Sequence, residues 1–309
     1  MKKDTARFWK TIFIAIAMLV VVDVTVGVVA DRLMDKLPYS NDDLAKDNYR
    51  LHHLNTDVVI LGSSRGCNHY VTRQLGDSLD AFLGEHLSIY NAAVAGKGAN
   101  SNSCAAEVLI SRYRPKLVIY DMVEGFLCDD QVTDIEFSAP FYRKDTIVRR
   151  YLDNIGLKER ILMNSSLYRY NGKLVRIASC FLSPTAVGDG YKPKLGTVID
   201  TMKVKKAPTA SVPTKEFDNY TVNNFETVLK KYSSENVPLV VVSSPRFRPT
   251  SNNKRLAALC DNYGIPFLDF YDTPYFNSHP ELFFEGVHLN DDGAHYFTAL
   301  LFEQLKRFL

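Results

Sequence analysis

The chain has 309 residues, enough for one large domain or two small ones at roughly 150 residues per domain. Hydrophobic residues make up 46% of it and charged residues 23%, which excludes a wholly disordered chain, a collagen and a polytopic membrane protein. The 37 Lys and Arg residues nearly balance the 35 Asp and Glu residues, and the resulting net charge of +2 provides no global field for binding nucleic acid.

The first predicted element is an apolar segment near the N-terminus. Residues 12–22 are uninterrupted apolar, and the apolar character continues to Ala30. About 20 such residues cross a bilayer as a helix. The basic residues before the segment keep the N-terminus in the cytoplasm by the positive-inside rule; they are Lys2, Lys3, Arg7 and Lys10. We predict a cytoplasmic basic flank over 1–10, a single-pass transmembrane signal anchor over 11–30 and a polar stalk over 31–55.

Two other interpretations of this segment are open. A cleaved signal peptide is one, because Val28 and Ala30 suit the small-residue cleavage rule. A buried core helix is the other. The anchor is favoured because the apolar stretch exceeds the usual signal-peptide core of about 7–15 residues. Asp23 is costly in lipid, so we expect it near the outer interface or protonated. Everything after about residue 35 would then lie outside the membrane.

Beyond the stalk, short apolar runs alternate with helical patterns. The predicted strands cover residues 57–61, 87–90, 116–121, 238–243 and 265–269, and the predicted helices cover residues 101–113, 145–170, 219–232 and 291–309. Continuous apolar strands separated by helices indicate a parallel sheet that is covered on both faces. The pattern therefore predicts an α/β domain of the flavodoxin-like, doubly wound type, which binds ligands at the carboxyl ends of its strands.

A long insertion separates the third and fourth predicted strands, at about 126–217. Its part from 183 to 217 is rich in proline and glycine and includes the basic residues Lys203, Lys205 and Lys206. A loop of this length in a compact domain is usually functional or mobile. A disordered surface excursion is the alternative, and the sequence favours neither.

Three motifs stand where a catalytic site would form. Ser64 follows the first strand in a Gly-Ser-Ser turn, which exposes its hydroxyl at the carboxyl edge and points its amide at a developing oxyanion. Gly96 follows the second strand and lets the backbone approach a reacting group. Glu285 and His288 are three residues apart just before the last helix, a spacing that brings the carboxylate to the imidazole.

The order of these motifs resembles that of the SGNH/GDSL hydrolases. The likeness is greatest to their membrane-anchored bacterial branch, in which Gly-Ser-Ser-Arg replaces Gly-Asp-Ser, and it covers roughly residues 56–309 apart from the insertion. It implies an SGNH-type domain in which Ser64 is the nucleophile and His288 is the base. Glu285 would take the place usually held by Asp. The amides of Ser64 and Gly96 would form the oxyanion hole.

The segment after the third predicted strand departs from the pattern of that family. The family carries an Asn there that donates to the oxyanion, whereas this chain has Glu124 near that position. An ionised carboxylate cannot donate and would repel an oxyanion. Three outcomes are open: Asn100 or Asn68 supplies the donor, Glu124 is protonated, or the enzyme is weak.

Further candidates concern substrate and cofactor binding. The predicted substrate-binding residues are Arg65, Asn100, Glu124 and Arg246, the last because it follows the fourth strand at the carboxyl edge. His52 and His53 lack metal-ligand spacing and are expected to be solvated in the stalk. The five cysteines form no CxxC pair, so we predict no metal site, no disulfide framework and no cofactor.

Two function classes follow. The first is an extracytoplasmic serine-dependent O-acyl esterase or acyltransferase acting on cell-envelope or secreted polysaccharide, with a carbohydrate or acyl-ester substrate. The resemblance implies a membrane-bound O-acyltransferase as its partner. The second is a non-catalytic binding or scaffold protein on the same fold. Hydrogen-bond reach between Ser64 and His288 favours the enzyme, and a separation beyond about 6 Å favours the scaffold.

Overall fold

The computed structural model describes residues 2–128, 132–198 and 215–309. These residues belong to two compact units, of which the first comprises Met1–Asn48 and Phe137–Thr185 and the second comprises Tyr49–Glu136 and Ala186–Leu309. The predicted basic cluster at Lys203, Lys205 and Lys206 lies outside the described residues.

The helices and strands of the described residues are as follows. The α-helices are α1 Lys2–Asp35, α2 Asp43–Asn48, α3 Ser64–His69, α4 Thr72–Leu83, α5 Ala99–Arg112, α6 Gly125–Cys128, α7 Val132–Glu136, α8 Thr146–Asp153, α9 Leu157–Leu162, α10 Ser166–Arg169, α11 Leu174–Leu182, α12 Asn219–Glu235, α13 Lys254–Asp261, α14 Pro274–Ser278 and α15 Asp291–Leu305. The strands are β1 Val58–Leu61, β2 Ile89–Asn91, β3 Leu117–Asp121, β4 Leu239–Ser243, β5 Phe267–Asp269, β6 Phe283–Glu285 and β7 His288–Leu289. A π-helix spans Tyr49–His53, and 3-10 helices span Ala139–Phe141 and Pro280–Leu282.

A five-stranded parallel sheet forms the centre of the second unit. Its strand order is β2-β1-β3-β4-β5, the order of flavodoxin-like sheets. The predicted α/β class and parallel sheet are therefore confirmed, and each predicted strand has a counterpart. The residues of β1, β3 and β4 are all buried, because helices cover both faces of a parallel sheet.

Alternate strand residues point to the same face of the sheet, and this periodicity builds the core. One face is covered by α4 and α15, whose apolar side chains complete a buried cluster. That cluster includes Val58, Ile60, Leu75, Leu79, Ile119, Val240, Val242, Phe297 and Leu301. Asn290 is the N-cap of α15, because its side chain accepts a hydrogen bond from the amide of Gly293. The helix therefore starts directly after β7.

The first unit contains the apolar helix α1. This helix is longer than the predicted 11–30 span, and by length and composition it could cross a bilayer as an anchor or act as a signal sequence. The predicted helix at 145–170 is three shorter helices, α8, α9 and α10. It is interrupted because Gly156 and Ser165 stand at the N-caps of α9 and α10, and Ser165 Oγ accepts from the amide of Tyr168.

The segment predicted as a solvated stalk, 31–55, packs instead. In the first unit Met34 and Leu44 are buried. In the second unit Arg50 is 1% exposed and donates hydrogen bonds to Asn102 Oδ1 and Ser101 Oγ on α5, at 2.9 and 2.7 Å. The polar composition suggested solvent, but these polar groups have protein partners, and a paired polar group can be buried at little cost.

Candidate active site

The turn after β1 carries Ser64 as the first residue of α3. The turn is tightly packed, since a Cβ on Gly62 would lie 3.0 Å from the Cβ of Asp121. A Cβ on Gly66, one turn into α3, would lie 2.7 Å from the Cβ of Ala93. Glycine is therefore required at both positions for the start of α3 to sit against its neighbours. This close packing holds the Ser64 side chain at the carboxyl edge of the sheet.

Glu285 and His288 lie on a β-hairpin rather than on the loop that the sequence predicted. Strands β6 and β7 are antiparallel, and the register places Glu285 opposite His288 across a two-residue turn. The amide of Val287 donates to Glu285 Oε2 at 3.0 Å, which orients the carboxylate. The amide of Phe247 donates to the carbonyl of Gly286 at 3.1 Å, so the tip of the hairpin is tied to the segment after β4.

The structure brings Ser64, His288 and Glu285 together. Ser64 Oγ lies 2.7 Å from His288 Nε2, and Glu285 Oε1 contacts His288 Nδ1. When the serine hydroxyl donates to Nε2, the ring proton is on Nδ1, where the carboxylate accepts it. This is the relation of nucleophile, base and orienting acid that activates a serine.

The surroundings of His288 favour its neutral form. Burial lowers the pKa of the ring below its usual value, the Glu285 carboxylate opposes that shift, and the cations Lys194 and Arg65 add to it. A general base must be unprotonated to accept the serine proton. The ring is therefore in the form needed for catalysis at neutral pH.

Gly96 lies in an exposed turn after β2, with a φ of 77° that favours glycine. The loop that holds it is bonded to the Ser64 turn: the amide of Ala92 donates to Ile60 O at 2.8 Å, and the amide of Val94 donates to Gly62 O at 3.1 Å. The loop that carries Gly96 and the turn that carries Ser64 are therefore neighbours.

The alternative oxyanion donors are bonded elsewhere. Asn100 is fully buried; its amide group donates to Thr221 Oγ1 and accepts from Asn224, linking α5 to α12. Asn68 donates to the carbonyl of Lys192 at 2.7 Å. Each of these two side chains therefore has a partner within the fold, as buried amides do.

Glu124 also differs from expectation. Its carboxylate accepts from Arg255 Nε at 2.7 Å and from the Arg255 amide at 2.9 Å. Both carboxylate oxygens therefore have Arg255 as their partner, and the structure gives no support to a Glu124 that donates to an oxyanion. Glu124 is also 6% exposed and engaged with α13, which argues against its predicted contact with substrate.

The two predicted substrate-binding arginines have internal partners. Arg65 is 5% exposed; its Nη1 donates to Ser244 O at 3.3 Å, and its Nη2 lies 3.7 Å from Asp121 Oδ1. Arg246 is half-buried, and its Nη1 donates to Tyr271 Oη at 3.2 Å. Arg65 therefore supports the Ser64 turn from within, while Arg246 remains at the carboxyl edge where it was predicted.

A second histidine, His69, was not singled out from the sequence. It is fully buried at the end of α3, and its Nε2 accepts from the amide of Leu289 at 2.9 Å. The ring proton is therefore on Nδ1, which lies 2.9 Å from Ser244 Oγ, and that hydroxyl contacts Asp121 Oδ2 at 3.2 Å. Burial keeps the pKa of His69 well below its usual value. The side chain thus holds Leu289, the residue next to His288.

The end of the predicted insertion borders the site. Residues 189–198, here called the strap, have no regular secondary structure. Backbone hydrogen bonds of 2.7 to 2.9 Å join the strap to β2, α3, α15 and β6. The donor and acceptor atoms are Asn91 N and Asp189 O, Lys192 N and Cys67 O, Asp291 N and Lys194 O, and Val198 N and Phe284 O. Lys194 Nζ lies 4.6 Å from the centre of the Phe284 ring. This part of the insertion is therefore packed on the domain and carries a cation close to His288.

Comparisons with known proteins do not assign this chain to a family. No family model matches the sequence, and no curated protein matches it at a significant level. Within the described residues, no group of three or more His, Cys, Asp and Glu side chains is arranged to hold a metal ion. The geometry around Ser64 is accordingly the main evidence for what the protein does.

Proposed function

We propose that this protein is a serine-dependent O-acyl esterase or acyltransferase of the SGNH type. The observation that carries the proposal is the 2.7 Å contact between Ser64 Oγ and His288 Nε2, with Glu285 on the far side of the ring. A binding or scaffold protein has no need of a nucleophile, a base and an acid in hydrogen-bonded order. The contact is also far shorter than the separation of about 6 Å that would favour a scaffold.

The first half of the proposed reaction forms an acyl-enzyme. Ser64 Oγ attacks the carbonyl carbon of an ester while His288 Nε2 takes the hydroxyl proton. Glu285 stabilises the imidazolium that results. The carbonyl oxygen becomes an oxyanion beside the amides of Ser64 and Gly96. Collapse of this intermediate breaks the ester bond, and Nε2 returns the proton to the departing alcohol.

The second half transfers the acyl group. A sugar hydroxyl or water gives its proton to His288 Nε2 and attacks the carbonyl carbon of the acyl-serine. Collapse of this second intermediate breaks the bond between the acyl group and Ser64 Oγ, and Nε2 returns the proton to Oγ. One donor fewer in the oxyanion hole costs about 10²–10³ in rate, so hydrolysis of simple esters is expected to be slow. Transfer to a bound sugar suits such a site, because slow loss to water preserves the acyl group for its acceptor.

The proposed location is the outer face of a bacterial cytoplasmic membrane, on envelope or secreted polysaccharide. Helix α1 is long and apolar enough to cross a bilayer, and the basic residues before it favour a cytoplasmic N-terminus. Asp23 and Gly27 of this helix pack against Ser166 of the same unit. Because the folded unit includes the helix, these contacts support an uncleaved anchor. A membrane-bound O-acyltransferase is the proposed partner.

The test is to trap the acyl-enzyme. The full chain in detergent is incubated with an activated acetyl ester at pH from about 6 to 9, where a histidine base is neutral for most of the range. We expect one acetyl mass increment on the peptide that carries Ser64. Ser64→Ala should abolish it, and the matched neighbour variant Ser63→Ala should keep it.

Two results would overturn the proposal. If the unmodified chain is not acylated at any pH in that range, the scaffold hypothesis is favoured. If Ser64→Ala is labelled as strongly as the unmodified chain, another residue is the nucleophile.

A further inference from the structure

Large apolar side chains lie exposed on the helices that follow residue 165 in the first unit. On α11, Val175 is 78% exposed and Leu182 is 83% exposed, and Leu174 and Phe181 are each exposed by more than 40%. On α10, Leu167 is also exposed. Side chains of this kind scattered singly need no explanation, but here they form one stripe along α11.

Helix α11 is apolar on two sides. Ile177 and Cys180 face the interior of the unit and are buried. Residues 174, 175, 178, 181 and 182 form the exposed stripe, at the spacing of one helical face. Arg176, the charged residue of the helix, lies to the side and pairs with Asp42 at 3.0 Å. A contiguous exposed apolar face of this kind marks a site of protein or membrane contact.

Contacts within the unit fix α10 and α11 along α1. Asp23 accepts hydrogen bonds from Ser165 Oγ at 2.6 Å, from the amide of Ser166 at 3.0 Å and from the amide of Leu167 at 2.8 Å. A Cβ on Gly27 would overlap Ser166 Oγ, so glycine is needed for this close approach. One turn further, Tyr170 Oη donates to Asp31. Residues 165–170 therefore run alongside residues 23–31 of α1.

This register sets the depth of α10, and α11 follows α10 after four residues. If the bilayer span is residues 11–30, Asp23 lies about 10 Å inside its outer end, at 1.5 Å per residue. A helix lying in the interface buries its apolar face by about 5–10 Å. The three donors on Asp23 also satisfy a carboxylate that would otherwise be costly at this depth.

We propose that α10 and α11 lie in the outer leaflet of the membrane, with the stripe of Val175 and Leu182 in contact with lipid. The occupant is the bilayer because α11 packs against α1. Helix α1 is long and apolar enough to cross a membrane, and its Val28 and Val29 are each about half exposed. In this proposal α10 and α11 add to the membrane contact that α1 makes. The inference rests on the membrane location in the proposed function and is independent of the acyl-transfer chemistry.

The test uses the single tryptophan of the chain, Trp9. Trp9→Phe is combined with Val175→Trp or with Leu182→Trp, and each full-length variant is reconstituted in phosphatidylcholine vesicles. The lipid is brominated near the top of its acyl chains, so that it quenches tryptophan within contact distance. The matched control places the tryptophan at Phe82, an exposed aromatic residue of the second unit.

We expect brominated lipid to reduce the emission of the Val175→Trp and Leu182→Trp variants by a fraction close to that seen for Trp9 in the unmodified chain. The Phe82→Trp variant should keep its emission. Quenching of Trp9 without quenching at positions 175 and 182 overturns the inference and leaves the membrane anchor standing. An unquenched Trp9 overturns the membrane location itself, and the inference with it. Circular dichroism of every variant checks that the chain is folded.

Discussion

Two histidines lie side by side in this structure, with ring centroids 6.2 Å apart, and their partners give them different roles. His288 has a carboxylate on Nδ1 and a serine hydroxyl on Nε2. His69 has a serine hydroxyl on Nδ1 and a backbone amide that donates to Nε2. The first arrangement stabilises an added proton, whereas the second leaves no position for one without breaking a hydrogen bond.

The comparison teaches that proximity to the nucleophile does not identify the base. Both rings are neutral, and burial lowers the pKa of both. The difference is the ionised partner, because Glu285 contacts His288 directly while Asp121 reaches His69 only through the hydroxyl of Ser244. In the proposed mechanism His288 can therefore gain and lose a proton, whereas His69 holds β7 in place.

The largest expected effect is the loss of activity when the carboxylate that distinguishes the two rings is replaced by an amide. Glu285→Gln keeps the size of the side chain but removes the charge that stabilises the imidazolium, so kcat/KM for an acetyl ester should fall by about 10³–10⁴ with the fold intact, by analogy with other triad acids. Circular dichroism checks the fold. Glu281→Gln, an exposed position just before the hairpin, is the matched control and should retain full activity. Unchanged turnover in Glu285→Gln would mean that another group orients His288.

The second expected effect is structural. His69→Ala leaves the buried Leu289 amide and the Ser244 hydroxyl without their imidazole partner, and it should lower the free energy of unfolding by about 2–5 kcal/mol. His69→Gln offers an amide oxygen to Leu289 and should recover part of this loss. Urea unfolding of each variant measures it. An Ala variant as stable as the unmodified chain would show that His69 does not support β7.

The third prediction concerns acid stability. The pKa of His69 is about 6.5 in the unfolded chain, and burial holds it well below that value in the folded chain. Below pH 6.5 the unfolded state binds a proton that the folded state does not, so stability is lost as the pH falls, by up to about 1.4 kcal/mol per pH unit from this group. Urea midpoints at pH 7.5, 6.5 and 5.5 should show a shallower decline in His69→Gln. Equal slopes in the two proteins would contradict this assignment.

The smallest expected effect is on the pKa of His288. Lys194 on the strap lowers that pKa, so Lys194→Gln should raise it and move the acid limb of the kcat/KM profile to higher pH by a fraction of a unit. In the unmodified chain the limb should lie below about pH 6.5. Lys192→Gln, two residues earlier on the strap, is the control and should leave the limb in place. A limb that does not move in Lys194→Gln would remove Lys194 from the electrostatics of the site.

Local patterns predicted the parts of this protein that depend on short stretches of chain. The apolar runs of β1, β3 and β4 could be recognised because a strand buried on both faces needs continuous apolar residues. Glu285 and His288 could be paired because they are three positions apart, and a tight turn through the two residues between them brings them into contact. The sequence did not predict the hairpin that makes this contact, but a hairpin with a two-residue turn also brings residues three positions apart together.

Other features depended on residues far apart in the chain. The contacts of His69 join α3 to β7 and to the segment after β4, and no local pattern relates these elements. Glu124 was assigned to the site because it falls near the position of the family's Asn, and Asn100 was offered as a replacement donor. In the structure Arg255 and Thr221 bind these two side chains. The polar segment 31–55 was predicted to be solvated because composition cannot tell a hydrated polar group from one paired inside the protein.

The sequence by itself determined the α/β class, the strand positions, the apolar N-terminal segment and the residue types of the candidate site, because each depends on local periodicity or on spacing along the chain. Only the tertiary structure decided which histidine faces Ser64, which polar side chains are already bonded, and that the strap borders the site. Those outcomes depend on which groups come within hydrogen-bond distance once the sheet and its helices have packed.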